Sequence, residues 1–433
     1  LVGRDSLSNA SRGRLQLGYD TRIVQTTLTD PALSGAIRLT DLPPLALYVH
    51  LPWCVRKCPY CDFNSYELRR AAGGAPARSL DPDLERRYIA ALLADLDAAL
   101  PGVWGRVVHT VFFGGGTPSL LSAAGLDALL AGIRARLDLT ADAEITLEAN
   151  PGTFEAEKFA AYRALGVNRL SIGIQSFQPG QLAALGRIHD AAEAYRAVES
   201  AHASFDNFNL DLMYALPGQT LAEAQADIDR AIALAPPHLS AYHLTIEPNT
   251  YFHRFPPPLP DDDLSASMQE SIEQRLAAAG FGRYEVSAFA HAGRECRHNL
   301  NYWRFGDYLG IGAGAHGKLS FAQRIVRQMR WRNPRDYMDK ALAGQAVQAT
   351  QEVAAHDLPF EFMMNALRLT AGFPVSMFQE RAGLAFAALS PTLRRAETLG
   401  LLQFDRQHVA PTPRGQRFLN DLLQLFLPEK ASG

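Results

Sequence analysis

The chain has 433 residues, a net charge of −3 and 47% hydrophobic residues. That length suits two or three domains of ordinary globular composition. Near-neutral charge gives no support to a nucleic-acid partner, and no apolar run reaches the ~20 residues that span a bilayer. Three of the four cysteines fall within eight residues, which is not a disulfide framework. Residues 1–20 are polar and lack the apolar stretch of a signal peptide. Together these features predict a cytoplasmic setting in which clustered thiols serve as metal ligands.

Residues 1–43 show no sustained periodicity and end at Pro43-Pro44. They are expected to form a poorly ordered extension, or to reflect an overlong start. Residues 45–51 read as a buried strand, and 69–80, rich in Ala, Gly, Arg and Pro, as a loop. Apolar residues at helical spacing follow over 84–100, then a strand over 107–113 that runs into Gly114-Gly115-Gly116. Helices are expected over 121–137, 154–165, 191–203 and 221–234. They alternate with strands over 144–148, 169–174, 208–213 and 239–244. A strand followed by a helix, repeated about six times, predicts parallel strands with right-handed crossovers. The expected fold is α/β, an incomplete TIM-like (β/α)6 barrel over residues 44–250. Chemistry-bearing residues fall near strand ends, the rim where such barrels bind ligands.

Residues 251–350 form an expected barrel extension, with a strand over 284–289 and a glycine-rich run over 310–317. Residues 351–433 read as a small C-terminal helical, winged-helix-like domain. A helix over 393–399 precedes a hairpin of 401–404 with 408–410, and Pro413 opens a final helix at its favoured first position. The segment is not notably basic, so packing or partner docking is expected of it rather than DNA binding.

The cysteine cluster is Cys54-Val-Arg-Lys-Cys58-Pro-Tyr-Cys61. A short loop of this kind can place a thiolate on each of three irons of a cubane and leave the fourth open. A structural zinc needs four ligands, and His50 is the residue near enough in sequence to complete one. The C-x3-C-x2-C spacing after a first barrel strand favours the cluster.

The segments Tyr48-Val-His-Leu-Pro-Trp-Cys54 and Cys58-Pro-Tyr-Cys-Asp-Phe-Asn64 resemble those of the oxygen-independent coproporphyrinogen III oxidases and their haem-chaperone relatives. These are radical S-adenosylmethionine (SAM) proteins, and the resemblance runs from about residue 44 to the C-terminus. It implies a [4Fe–4S] cluster on Cys54, Cys58 and Cys61 whose open iron is chelated by the amino and carboxylate groups of SAM. It implies SAM contacts at Tyr48, Tyr60, Gly115, Gly116, Thr117, Glu148, Gln175, Arg187 and Asp211. In the oxidase the last three serve a second SAM, so one or two molecules are open. Read singly, Glu148 and Asp211 could be helix caps and Arg187 a surface ion pair. As an ordered set they favour a cofactor site.

Two features separate the relatives. The oxidase pattern places a further cysteine where this chain has Phe63. His298-Asn299-Leu-Asn-Tyr302-Trp303 resembles the HNxxYW motif of the chaperones, which is tied to haem binding. Imidazole is a common axial haem ligand, and Tyr and Trp rings can flank a macrocycle. Cys296 could compete as a ligand, though a free cysteine is more often merely buried. The resemblance thus implies a haem chaperone that delivers haem to acceptor proteins, membrane-associated ones included, and that receives electrons from a donor protein. Decarboxylation of coproporphyrinogen III is the alternative activity.

Overall fold

The computed structural model describes residues 37–68, 79–152 and 158–428. Its framework is a twelve-stranded sheet. In chain order the strands are β1 (Leu45–Leu51), β2 (Val107–Gly115), β3 (Asp138–Ala149), β4 (Arg169–Gln175), β5 (Phe208–Tyr214), β6 (His238–His243), β7 (Gly282–Arg283), β8 (Ala288–Ala290), β9 (Asp307–Ile311), β10 (His316–Phe321), β11 (Arg324–Arg330) and β12 (Val347–Glu352). They lie in the order β12-β11-β10-β9-β1-β2-β3-β4-β5-β6-β8-β7. The block from β9 through β6 is parallel throughout, and the strands outside it are antiparallel. The hydrogen-bonded order is open at β12 and β7, in keeping with an incomplete barrel.

Local chemistry sets the crossover helices. Asp81 caps Pro82–Ala99 by accepting from Asp83 N and Leu84 N, and Pro82 takes the first-turn position where it loses no hydrogen bond. Ser122 caps Ala123–Arg134. Asp190 with Glu193, and Thr220 with Glu223, form reciprocal capping boxes on Ala191–Ser204 and Leu221–Ala233. The apolar faces of these helices and the buried strand residues Leu47, Val49, Val111, Phe113, Leu147 and Ile172 make one continuous core.

The structure corrects the sequence expectations at several places. The expected helix over 154–165 is described only from residue 158, with Phe159–Ala164 helical. Of the expected strand over 284–289 only the last two residues are strand, within Ala288–Ala290, which pairs with Gly282–Arg283; between them Glu285 is buried and its carboxylate accepts from Ser287 N at 3.1 Å. A boundary at residue 350 falls inside β12, which pairs with β11. Residues 1–36 lie outside the described residues, but within 37–43 Ile37, Leu39 and Pro43 are buried. Arg38 N donates to Gly383 O at 3.0 Å and Leu39 N to Ala322 O at 3.0 Å. Ile37 and Leu39 are buried in the same cluster as Phe362, Phe373 and Phe378. These contacts lie far away in sequence, a tertiary effect that periodicity does not register.

The C-terminal part holds the helices Leu358–Ala366, Val375–Ala382 and Ser390–Thr398 and the strands Leu402–Phe404 and His408–Pro411, with Phe373–Pro374 pairing on the second. Thr412 caps the helix that Pro413 opens. Phe305 and Ile325 enter this cluster from the preceding region, so the two parts share a packed seam. Among the described residues no helix is long and apolar enough to cross a membrane.

Candidate functional site

One cavity of about 520 Å³ occupies the inside of the curved sheet. Its rim, at the carboxyl ends of the parallel strands, carries the cysteine loop. Cys54 ends a two-residue strand, Trp53–Cys54, that pairs with Tyr66–Glu67 and fixes both ends of the loop. Lys57 Nζ donates to Phe63 O at 3.1 Å and Ser65 O at 3.0 Å, closing the loop on itself. Asn64 Nδ2 donates to Ala313 O and Arg332 O, each at 2.9 Å, tying it to the glycine run. That run comes close because a Cβ at Gly312 would lie 2.4 Å from His50 O.

Cys54, Cys58 and Cys61 are free thiols, partly exposed, and all line the cavity. Burial pushes the Cys54 thiol up to about 11, against a hydrogen bond from Thr117. Among the described residues no three His, Cys, Asp or Glu side chains converge on a single-ion site. A cubane needs no such convergence, since each thiolate takes its own iron. Both ring nitrogens of His50 have partners: Tyr48 Oη lies 3.0 Å from Nδ1 and Asn64 O 2.9 Å from Nε2. Three unpaired thiols on one loop at a cavity mouth suit a cluster with one open iron.

Gly115 and Gly116 stand where side chains are sterically barred. Gly115 has φ 114°, and a Cβ there would meet the His50 ring at 2.5 Å; one at Gly116 would meet Trp53 O at 2.5 Å. Gly115 N donates to Glu148 Oε2 at 3.1 Å, and Asn150 Nδ2 donates to Thr117 Oγ1 at 2.9 Å. Burial, then the nearby Asp211, pushes the Glu148 carboxyl up to about 8. Arg187 donates to Asn150 Oδ1 at 2.6 Å, Gly173 O at 2.8 Å and Cys58 Sγ at 3.6 Å. Tyr60 packs toward Phe252 and lines the cavity beside Arg187. Gln175 ends β4 with φ 66°, a strained left-handed conformation for a residue with a side chain. Asp211 is not past a strand end as expected but in the middle of β5, where Ser171 Oγ and Asn209 Nδ2 donate to it at 2.9 and 2.8 Å.

At the opposite end the helix Arg297–Trp303 closes the floor. It lacks a capping side chain of its own; Glu144 on β3 serves instead, accepting from Arg297 N and His298 N at 3.0 Å each. His298 is buried with both ring nitrogens engaged, Nδ1 with Thr110 Oγ1 at 2.8 Å and Nε2 with Tyr302 Oη at 3.0 Å. Burial, then Arg169, lowers its pKa to about 3, so the imidazole is neutral. Tyr48, Phe112 and His298 stack in succession, joining rim to floor. Asn299 and Tyr302 line the cavity with His298, but Trp303 does not: its ring lies under the Arg368 guanidinium, 4.2 Å away, at the seam with the C-terminal part. Cys296 is fully buried, its thiol held up at about 12 by burial, and it donates to Glu144 at 3.6 Å.

The sequence reading missed the polar lining between rim and floor: Asn150, Arg169, Ser171, Asn209, His238 and Ser240. Their signal was a period-two run of polar residues within apolar strands, as in Arg169-x-Ser171-x-Gly173-x-Gln175.

The model of the radical SAM superfamily matches residues 48–231, and that of the HemN C-terminal domain matches 353–418. A protein of Escherichia coli named "Heme chaperone HemW" is 50% identical over 393 residues, covering 90% of this chain and all of the relative. The chain belongs to the HemW family. A HemW of Mycobacterium tuberculosis is 36% identical over 89% of this chain and 95% of its own, and one of Bacillus subtilis 34% identical over 88% and 99%. The solved structure of coproporphyrinogen III oxidase (HemN) from Escherichia coli shares the fold, with a TM-score of 0.74 at 23% identity over 89% of this chain and 90% of that one. Membership of the superfamily implies a [4Fe–4S] cluster and SAM.

Proposed function

We propose that this HemW-family chain is a haem chaperone, with the cluster and SAM at the cavity rim and haem toward the floor. The observation that carries this is one cavity lined both by Cys54, Cys58 and Cys61 and by His298, Asn299 and Tyr302, motifs more than two hundred residues apart. The three thiols hold the cluster. Gly115, Gly116, Thr117 and Glu148, with Tyr48 and Tyr60, cradle SAM; Gln175, Arg187 and Asp211 line the space beside it. A cluster with bound SAM supplies one-electron cleavage chemistry when loaded. Haem passes from here to acceptor proteins, and a donor protein supplies electrons, in a cytoplasmic setting where the thiols stay reduced.

His298 is the proposed axial ligand. Its ring is neutral, the form that ligates iron, and a turn of the Tyr302 hydroxyl away from Nε2 frees the nitrogen while Thr110 keeps the ring oriented. Trp303 supports the helix from behind rather than touching haem. Titration of the purified protein with haem should produce a Soret band, with no decarboxylation of coproporphyrinogen III. His298→Ala should weaken haem binding by about tenfold or more, or shift the band, with cluster content unchanged. Robust SAM-coupled decarboxylation by the wild type would overturn the chaperone function. An unaltered affinity and spectrum in the variant would remove His298 as ligand.

SAM binding should depend on pH through Glu148. Its carboxyl is raised to about 8 without cofactor, so it is mostly protonated at neutrality and ionised above that. The ionised form attracts the positive charge of SAM. Affinity should therefore climb between about pH 6.5 and 8.5, by at most about tenfold per unit, and then level off. Calorimetric titration of wild type and Glu148→Gln checks this: the variant should lose the slope, and an identical slope in both would assign it to another group.

A further inference from the structure

Arg169 opens β4 at the floor of the cavity, beneath the residues assigned to the cluster and SAM. It is 2% exposed, yet its Nε has no hydrogen-bond partner. The acceptors around it are already committed. Glu144 takes the Arg297 and His298 backbone N–H groups and the Cys296 thiol. Asp211 takes Ser171 and Asn209, and Asn209 Oδ1 takes Ser240 Oγ while lying 2.6 Å from His238 Nδ1. Arg187, by contrast, spends its guanidinium on Asn150, Gly173 and Cys58. Burial opposes the Arg169 charge, but the Glu144 and Asp211 carboxylates near it keep the group protonated. A buried guanidinium without hydrogen-bonded partners is costly, and a planar fork facing a cavity suits a carboxylate.

We propose that Arg169 is a carboxylate receptor at the cavity floor, and that it takes a propionate of the bound haem. This rests on the haem-binding function proposed above. The six-residue rise from Arg169 to Gln175 along β4 spans about 20 Å, so a SAM carboxylate chelating iron at the rim does not reach it. Two sources of the carboxylate are left: a haem propionate, or a second SAM lying deeper. Because His298 and Arg169 share the floor, iron ligation and propionate pairing would fix the macrocycle at two points.

The test measures two affinity ratios in cluster-loaded wild type and Arg169→Gln: haem against its dimethyl ester, and SAM against decarboxylated SAM. In wild type, haem should bind about tenfold or more tightly than the ester, and the variant should abolish that preference while leaving the SAM ratio unchanged. If the variant instead collapses the SAM ratio alone, the receptor stands and its ligand is a second SAM. If both ratios are the same in wild type and variant, Arg169 is no receptor. Wild type that binds no haem would sink the haem function separately, and the SAM ratio would still decide the receptor. Should Arg169→Gln not fold, Arg169→Lys gives the same reading: it keeps the charge but not the fork, so whichever ratio depends on Arg169 must fall.

Discussion

Cys58→Ala should yield a folded chain that holds no intact cluster. A cubane with one iron left open for SAM has three protein anchors, and removing one leaves two. Cys58 has a further role. The Arg187 guanidinium stands 3.6 Å from its sulfur and, through Asn150, is joined to Thr117 on the glycine loop. The lost thiolate therefore also releases the residue that couples the cysteine loop to the SAM cradle. The cysteine side chains are partly exposed, so truncation opens no cavity in the core. After anaerobic reconstitution the wild type should carry about four irons per chain and the variant fewer than about one, with far-ultraviolet circular dichroism unchanged. Full iron and sulfide loading of Cys58→Ala would remove the assignment of this loop.

The parallel block was legible because each strand is a short apolar run, and the helices between them repeat apolar residues at helical spacing. The cysteine loop was legible for a different reason: its chemistry depends on local spacing. What stayed hidden depends on contacts distant in sequence. Thr110 meets His298 and Asn64 meets Arg332, and no local pattern announces either. Arg169 reads locally as one charged residue at a strand end, and only the curl of the sheet makes it the floor of a cavity. The glycine-rich run over 310–317 carries no local sign of its role: Gly312 and Gly314 let the chain press against His50 and Asn64 behind the cysteines. His316 at its end is exposed. The HNxxYW residues were legible as a motif but not as a division of labour, in which His298, Asn299 and Tyr302 face the cavity and Trp303 faces Arg368.

That backing of the cysteine loop rests on a buried ion pair. Asp95 is 1% exposed on the helix Pro82–Ala99 and pairs with Arg330 of β11, which is fully buried. Its Oδ2 also accepts from Tyr337 Oη at 2.9 Å and Gly312 N at 3.3 Å. Ala313 N donates to Tyr88 Oη at 2.9 Å, whose hydroxyl donates to His50 O at 2.7 Å. One carboxylate thus fixes the strand-end segment on which Asn64 hangs. Removing it leaves the Arg330 charge buried and unpaired, a change that costs about 3–5 kcal/mol in comparable sites. Asp95→Ala should lower the denaturation midpoint accordingly. Asp95→Asn should lower it less, since the amide oxygen still accepts from Tyr337 and Gly312 while the countercharge is lost. Both variants should also load less iron than wild type at matched folded fraction, in the same order, because Gly312 and Ala313 no longer hold Asn64 in register. A midpoint for Asp95→Ala within about 1 kcal/mol of wild type would mean that water or a rearranged Arg330 replaces the pair. Unaltered iron loading despite the expected destabilisation would separate the network's contribution to stability from any influence on the cluster.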